Sequence, residues 1–264
     1  MFDGRTENQE LVKFFHKNTS LNKVNIVSLQ MKIADALDDT NFITNCFKPD
    51  CIFQEYNEKT IALEKSVIRD EQDDNLYRCL MKRRTNSKLP KIEEPLDFEK
   101  FSKLIYYSFG ASEINLVNNN VKFTYPTSGG LNTIEIFIVV NNVSKIDSGI
   151  YLYNPYVNTL KLVRENFSVS EYKNITGLFN QGENSFFSVH IVGNCEFSHI
   201  KYGDRAYRFM NIEAGHCSQN LYLMSTSLGL ECAASGAFLD DEFFEFLKIS
   251  DKNRYLLYEN FVGL

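Results

Sequence analysis

Apolar residues recur along this chain in two alternating modes, helical spacing and short unbroken runs. In VSLQMKIADALDDTNFI the apolar positions Leu29, Ile33, Ala34 and Leu37 return at helical intervals and predict an amphipathic helix. CIFQEY followed by KTIALE predicts a short hairpin, and the charged run RDEQDD (69–74) a solvated connection. NLYRCLMKRRTNSKLP then predicts a helix that ends in Lys82, Arg83, Arg84 and Lys88 before Pro90. In PLDFEKFSKLIYYSFGA, Phe98, Phe101, Leu104, Ile105 and Phe109 fall on one helical face, which Gly110 closes. This helix is expected in the core.

The second half carries strands. IEIFIVV is continuously apolar, SGIYLYNPYVNTLKLVRE reads as a hairpin turning at Asn154 and Pro155, and SFFSVHIVGNCEF is another buried strand. From Tyr207 a long helix presents Ile212, Leu221, Leu223, Met224 and Leu228 and stops at Gly229. The tail supplies one more amphipathic helix and the strand YLLYENFVG, which completes a sheet. Helices interleaved with strands predict an α+β or α/β sandwich, a sheet flanked by helices. A helical or mixed segment (1–75) precedes a larger unit (76–264).

Composition narrows the function. The chain has 264 residues, 44% of them hydrophobic, with 22 Phe and 14 Tyr, enough for a substantial core. Its net charge of −6 argues against nucleic-acid binding, so local basic spots are left to serve small anions. The N-terminus has no apolar core of signal-peptide length, and no run approaches the roughly 20 apolar residues of a membrane span; a cytoplasmic protein is expected. Cys46, Cys51, Cys79, Cys195, Cys217 and Cys232 show no zinc-ligand spacing, and the four histidines are as dispersed. No metal site is predicted, and the cysteines read as reduced thiols packed as small hydrophobes.

Candidate chemistry concentrates in residues 199–238, HIKYGDRAYRFMNIEAGHCSQNLYLMSTSLGLECAASGAF. A Lys-Tyr pair beside two arginines opens this stretch, a helix carrying Glu213, Gln219 and Asn220 fills it, and a small-residue turn closes it. The three polar helix positions either satisfy buried groups or touch a ligand. Arg83 and Arg84 are either an anion site or a solvated basic face. Thr127, Ser128, Gly129 and Gly130 form either an ordinary turn or a loop that something flat or anionic can approach closely.

Taken together, KRRTNSK, PTSGG before IEIFIVV, KYGDRAYRFMNIEAGHCSQN, LGLECAASGAF and the terminal YENFVG resemble, in order, the SagB type of the nitroreductase superfamily. The resemblance covers roughly residues 76–264, and FFHKNTS (14–20) is similar to a short signature of the same family. It implies an FMN-binding α+β fold, a homodimer with the flavin at the subunit interface, and the activity of an azoline dehydrogenase. Arg83, Arg84 and Ser87 match the family's Arg-Arg-Ser-x-Arg anion site, with Thr85 in place of the serine, Ser87 in place of the last arginine and Lys88 as the neighbouring cation. Pro126, Thr127, Ser128, Gly129 and Gly130 match a Pro-Ser-Gly-Gly loop with one extra threonine, and Asn132 stands where an aromatic residue is common. Gln219 and Asn220 match helix positions near the flavin; Ser235, Gly236 and Ala237 match the loop that contacts it. Lys201 and Tyr202 match the catalytic Lys-Tyr pair.

The implied reaction matures a ribosomally made peptide. Oxidising a thiazoline or oxazoline to the azole removes a proton and a hydride, and a flavin takes the hydride because no side chain can. A lysine whose pKa is depressed by burial or by Arg205 and Arg208 can take the proton, with Tyr202 orienting or relaying it. The implied partners are a precursor peptide and a cyclodehydratase, with residues 1–75 as a docking surface. Two alternatives stay open: an NAD(P)H-dependent nitro or quinone reductase, and a silent scaffold subunit of a peptide-modifying complex.

Overall fold

The computed structural model describes residues 25–42, 59–64, 76–86, 88–115, 120–173, 175–176, 184–236, 238, 240–249 and 253–264. The expectations placed on residues 14–20, 51–56 and 69–74, on Ser87 and on Ala237 lie outside them. The helices are α1 (Asn25–Asp38), α2 (Leu76–Lys82), α3 (Phe98–Phe109), α4 (Val169–Lys173), α5 (Glu196–Tyr202), α6 (Arg205–Ser227) and α7 (Asp240–Leu247). The strands are β1 (Thr60–Ala62), β2 (Ala111–Asn115), β3 (Asn120–Phe123), β4 (Ile134–Val140), β5 (Gly149–Asn154), β6 (Thr159–Arg164), β7 (Phe187–Asn194), β8 (Glu231–Ser235) and β9 (Arg254–Gly263).

Seven strands form one sheet in the order β1-β6-β5-β4-β7-β9-β8, with every neighbouring pair antiparallel; β2 and β3 form a separate ribbon. All seven residues of β4 are buried, because helices cover both faces of the sheet. Ile134, Ile136, Ile138 and Val140 pack with α3 and α6 on one face. Phe137 and Val139 pack with Phe243, Phe246 and Leu247 of α7 on the other. This is the expected α+β sandwich, with the sheet wholly antiparallel. β9 inserts between β7 and β8, so the tail does complete the sheet.

The α3 face is as the periodicity requires: Phe98, Phe101, Leu104, Ile105 and Phe109 are all buried. Asp97 caps its N-terminus by accepting from the Glu99 and Lys100 amides. Gly110 ends it in extended conformation (φ −77°), so the glycine is needed for space: an added Cβ would lie 2.5 Å from the Tyr106 carbonyl oxygen.

Two local expectations change. Among the described side chains of α1, Ala36 is buried, whereas Ala34 and Leu37 are exposed; the helix packs against α5. Ile212 of α6 is likewise exposed. Thr60–Ala62 joins the main sheet by pairing with β6; the other arm of the expected hairpin, residues 51–56, is outside the described residues. Thus the 1–75 segment lends the sheet an edge strand and lays a helix against α5. Cys79, Cys195, Cys217 and Cys232 are free thiols, and burial pushes the Cys232 thiol up to about 12. No described helix is long and apolar enough to cross a membrane.

On the α7 side of the sheet, His190 is wholly buried, its Nε2 2.9 Å from the Tyr172 hydroxyl. Burial pulls its pKa down to about 3. Glu259 Oε2, at 3.8 Å from Nδ1, is beyond hydrogen-bond range and does not offset the desolvation. The unfolded chain binds a proton here that the native state refuses, so stability is full above about pH 6.5 and falls as the pH drops toward 3. The expected loss over that window is of the order of 4 kcal/mol, at about 1.4 kcal/mol per pH unit. Denaturant midpoints measured against pH check it: His190→Gln should flatten the acid limb, and an unchanged limb would assign acid sensitivity to other groups.

Candidate active site

Residues far apart in sequence meet on two flanks of α6. The first cluster begins at the turn after β3. Ser128–Gly130 forms a single 3-10 turn with Gly129 at φ +60° and Gly130 at φ +75°, the left-handed region that glycine enters without cost from a Cβ. Glu213 of α6 holds this turn. Its Oε1 accepts the Ser128 amide at 2.6 Å and the Ser128 hydroxyl, and its Oε2 accepts the Thr133 hydroxyl at 2.6 Å. Burial raises the Glu213 pKa, and the Ser128 and Thr133 hydrogen bonds oppose that rise.

The Lys-Tyr pair sits over this turn. Gly203, at φ +58°, ends α5 directly after Tyr202, its N–H donating to the His199 carbonyl. The chain turns there into α6, leaving Lys201 and Tyr202 at the junction. A Cβ on Gly129 would lie 2.2 Å from the Tyr202 hydroxyl and 2.7 Å from Lys201 Nζ. Lys201 is only 8% exposed, and its Nζ lies 5.3 Å from the Tyr202 ring centroid. Burial first, then the Glu213 charge, raises the Tyr202 pKa, so its phenol is held protonated. Phe209 packs edge-on against Tyr202, and the Arg205 guanidinium lies over the Phe209 ring. A buried amine and a neutral phenol thus converge on a position without a side chain, an arrangement suited to taking up and relaying a proton.

The second cluster lies nine residues further along α6, two and a half turns at about 3.6 residues per turn, and so on the opposite flank. Tyr222 is its hub. Its hydroxyl is 3.1 Å from that of Thr85 and accepts the Ala234 amide at 2.8 Å, and the Arg83 guanidinium lies 5.2 Å from its ring centroid. The 83–86 segment is docked against β8 by a bridge between Thr85 and Cys232 and by the Asn86 amide donating to the Cys232 carbonyl. The segment therefore meets β8 at Cys232, near the start of the strand, and the Arg83 charge is felt by the Cys232 thiol; Ser235 and the exposed Gly236 lie at the strand's other end. The two arginines are not equivalent: Arg84 donates to the Met81 and Arg83 carbonyls, closing the C-terminus of α2.

The structure thus brings Lys201, Tyr202, Ser128, Gly129 and Gly130 together, and separately Arg83 and Thr85 with Tyr222 and Cys232. Pro126 is exposed and Thr127 half-buried as they lead into the turn. Gln219 is exposed, and the Asn220 amide donates to the Thr124 and Ser108 carbonyls, tying α6 to the chain that enters the turn. Sequence reasoning gave no role to Thr133 or Tyr222 and left that of Glu213 open. An acidic residue on the mostly buried face of a helix was the available signal for Glu213; Tyr222 gave none, since tyrosine is common in cores.

Comparison with known proteins agrees with this architecture. A nitroreductase described from Methanocaldococcus jannaschii is 29% identical over 189 residues, 70% of this chain and 89% of that protein. A nitroreductase structure from Ralstonia eutropha superposes with a TM-score of 0.65 over 78% of this chain and 89% of its own, at 18% identity. A chain of the Escherichia coli microcin synthetase McbBCD complex, solved with truncated pro-MccB17 bound, superposes with a TM-score of 0.60 at 18% identity and covers 93% of this chain and 98% of its own. Residues 93–259, which include the Ser128–Gly130 turn, the Lys201–Tyr202 pair, all of α6 and β8, match the model of the nitroreductase family, and the chain therefore belongs to that family.

Proposed function

We propose that this protein is an FMN-dependent azoline dehydrogenase, which oxidises thiazolines or oxazolines in a ribosomally made peptide to the aromatic azoles. The observation that carries the reading is the convergence of Lys201 Nζ and the Tyr202 hydroxyl over Gly129. Aromatisation takes a proton from the former α-carbon and a hydride from the former β-carbon. When bound, FMN would supply the hydride acceptor. Lys201 takes the α-proton, which the adjacent carbonyl and imine acidify, and Tyr202 as a neutral phenol orients the amine.

The residues present fit the cofactor. Arg83 and Thr85, docked against β8 at Cys232, offer a cation and a hydroxyl to a phosphate, and the open space beside Gly130, where nothing lies within 4 Å of an added Cβ, admits a flat ring. These two half-sites lie on opposite flanks of α6 within one chain. A second copy that brings its turn to the Arg83 cluster completes the site, which supports a homodimer with the cofactor at its interface. Residues 1–75 serve as the docking surface for a cyclodehydratase and the precursor peptide. The fold shared with a chain solved in the microcin synthetase complex supports a peptide substrate.

The test is mass spectrometry of a cyclised precursor incubated with the FMN-loaded protein and the cyclodehydratase. Loss of two hydrogens per azoline supports the reading, and an unchanged mass with the complete complex present sinks it. The nitroreductase name of the M. jannaschii relative favours a second reading, nitro reduction, which NAD(P)H-dependent turnover of a nitroaromatic without any azoline oxidation would select. Flavin affinity separates the arginines. Arg83→Ala should weaken FMN binding by about 10- to 100-fold, the 1.5–3 kcal/mol of a charge-assisted hydrogen bond. Arg84→Ala should change it by no more than a few-fold, since its fork is engaged by carbonyls. Quenching of flavin fluorescence on titration measures both.

A further inference from the structure

Glu213 is a buried carboxylate beside the Lys-Tyr pair that the proposed chemistry leaves unused. It is 2% exposed, and its carboxylate binds three donors, the Ser128 amide, the Ser128 hydroxyl and the Thr133 hydroxyl. A structural carboxylate could sit anywhere in this sandwich. This one holds the two ends of a single loop, Ser128 and Thr133, and the residue next to its first anchor is Gly129, over which Lys201 and Tyr202 close. α6, which carries Glu213, begins at Arg205, two residues beyond the Gly203 that ends the Lys-Tyr helix. The carboxylate therefore links the loop below the pair to the helix that continues from it.

We propose that Glu213 is a positioning residue for the Lys201–Tyr202 pair: it fixes the Ser128–Gly130 turn at the height where the amine and the phenol meet above Gly129. The assignment rests on the dehydrogenase reading for what the pair does, but not for the geometry. The carboxylate also acts on Tyr202 directly, since its charge adds to burial in holding the phenol protonated. The other groups around Tyr202 are Lys201 beside it, Phe209 against its ring with Arg205 over Phe209, and Lys32 of α1 at Gly203. His216, one turn on, faces Glu213 and opposes the rise in its pKa.

Two substitutions separate position from charge. Glu213→Gln keeps an acceptor for the Ser128 donors and can donate to the Thr133 oxygen, so the turn stays in place while the charge is lost. Glu213→Ala releases the turn. With the FMN-loaded protein, Glu213→Ala should lower kcat for azoline oxidation about 10- to 100-fold at little changed KM, the effect of a misplaced catalytic group, and Glu213→Gln should retain most of kcat at neutral pH. The independent readout needs no substrate and no flavin. Tyrosinate absorbance near 295 nm is followed against pH, each protein being compared with the same protein carrying Tyr202→Phe. The Tyr202 component should titrate at lower pH in Glu213→Gln than in the unsubstituted protein. A Tyr202 titration that does not move, or Glu213→Ala with unaltered kcat, overturns the proposal; if Glu213→Ala does not fold, the Gln titration decides alone. A titration that moves in a protein inactive on azolines leaves Glu213 in place and overturns only the dehydrogenase reading.

Discussion

Lys201→Ala is expected to lower azoline oxidation by at least about 100-fold while the protein stays folded and retains FMN. General-base catalysis by a positioned side chain contributes about 10²- to 10⁴-fold, and the described groups above Gly129 include one other proton-transferring side chain, Tyr202. A structural explanation of such a loss is distinguishable. The side chain is 8% exposed, so truncation also removes packing of its aliphatic stem, at a cost of about 1–2 kcal/mol that lowers the unfolding midpoint. That cost does not reach the turnover of the fraction still folded. Single-turnover rates at saturating substrate, with flavin content set equal by absorbance, isolate the chemical step. Tyr202→Phe should lose less, about 10-fold, because the amine remains and only its orienting hydroxyl is gone. Normal turnover of flavin-loaded Lys201→Ala would remove Lys201 from the chemistry.

Gly129→Ala should be nearly as damaging to activity and much milder on stability. At φ +60° an L-residue costs roughly 1–2 kcal/mol relative to glycine, so the unfolding midpoint falls by only a few degrees. The atoms an added methyl would strike, the Tyr202 hydroxyl and Lys201 Nζ, are the far ends of flexible side chains. They yield, and the backbone holds. The methyl group therefore displaces the two groups proposed to do the chemistry, and a misplacement of about 1 Å can cost 10²-fold. The expected result is a loss of kcat between about 10- and 100-fold. Gly130→Ala is the internal control: its φ of +75° imposes the same kind of backbone cost, but nothing lies within 4 Å of its Cβ. If both glycine variants lose activity alike, backbone strain is the cause and the contact with Lys201 and Tyr202 is not.

Several elements were legible because local pattern and tertiary demand coincide. The α3 face, the IEIFIVV strand and the terminal strand are long apolar signals that only a covered sheet and its helix can absorb. β8 gave no strand signal: Glu231, Cys232, Ala233, Ala234 and Ser235 lack the branched and aromatic residues of a strand and become one by pairing with β9. Leu37 was placed on a buried face because periodicity counts apolar residues and cannot show how narrow the neighbouring helix is.

At the site, the motifs named the participants, and the fold decided their grouping. Residue type made Lys201 with Tyr202, the Ser128–Gly130 turn and Arg83 candidates beside plainer readings, since cations, hydroxyls and glycines are what anion and cofactor sites require, and the family resemblance gave them roles. Nothing in the spacing shows that the turn lies under Lys201, more than seventy residues further on, or that Arg84 is committed to the end of α2 while Arg83 faces β8. The sequence by itself determined the sandwich and the kinds of chemistry available, because periodicity and residue type are local properties. Only the tertiary structure decided that Glu213 ties the turn to α6 and that the two clusters lie on opposite flanks of that helix, because contacts between distant segments are fixed by how the helix packs across the sheet.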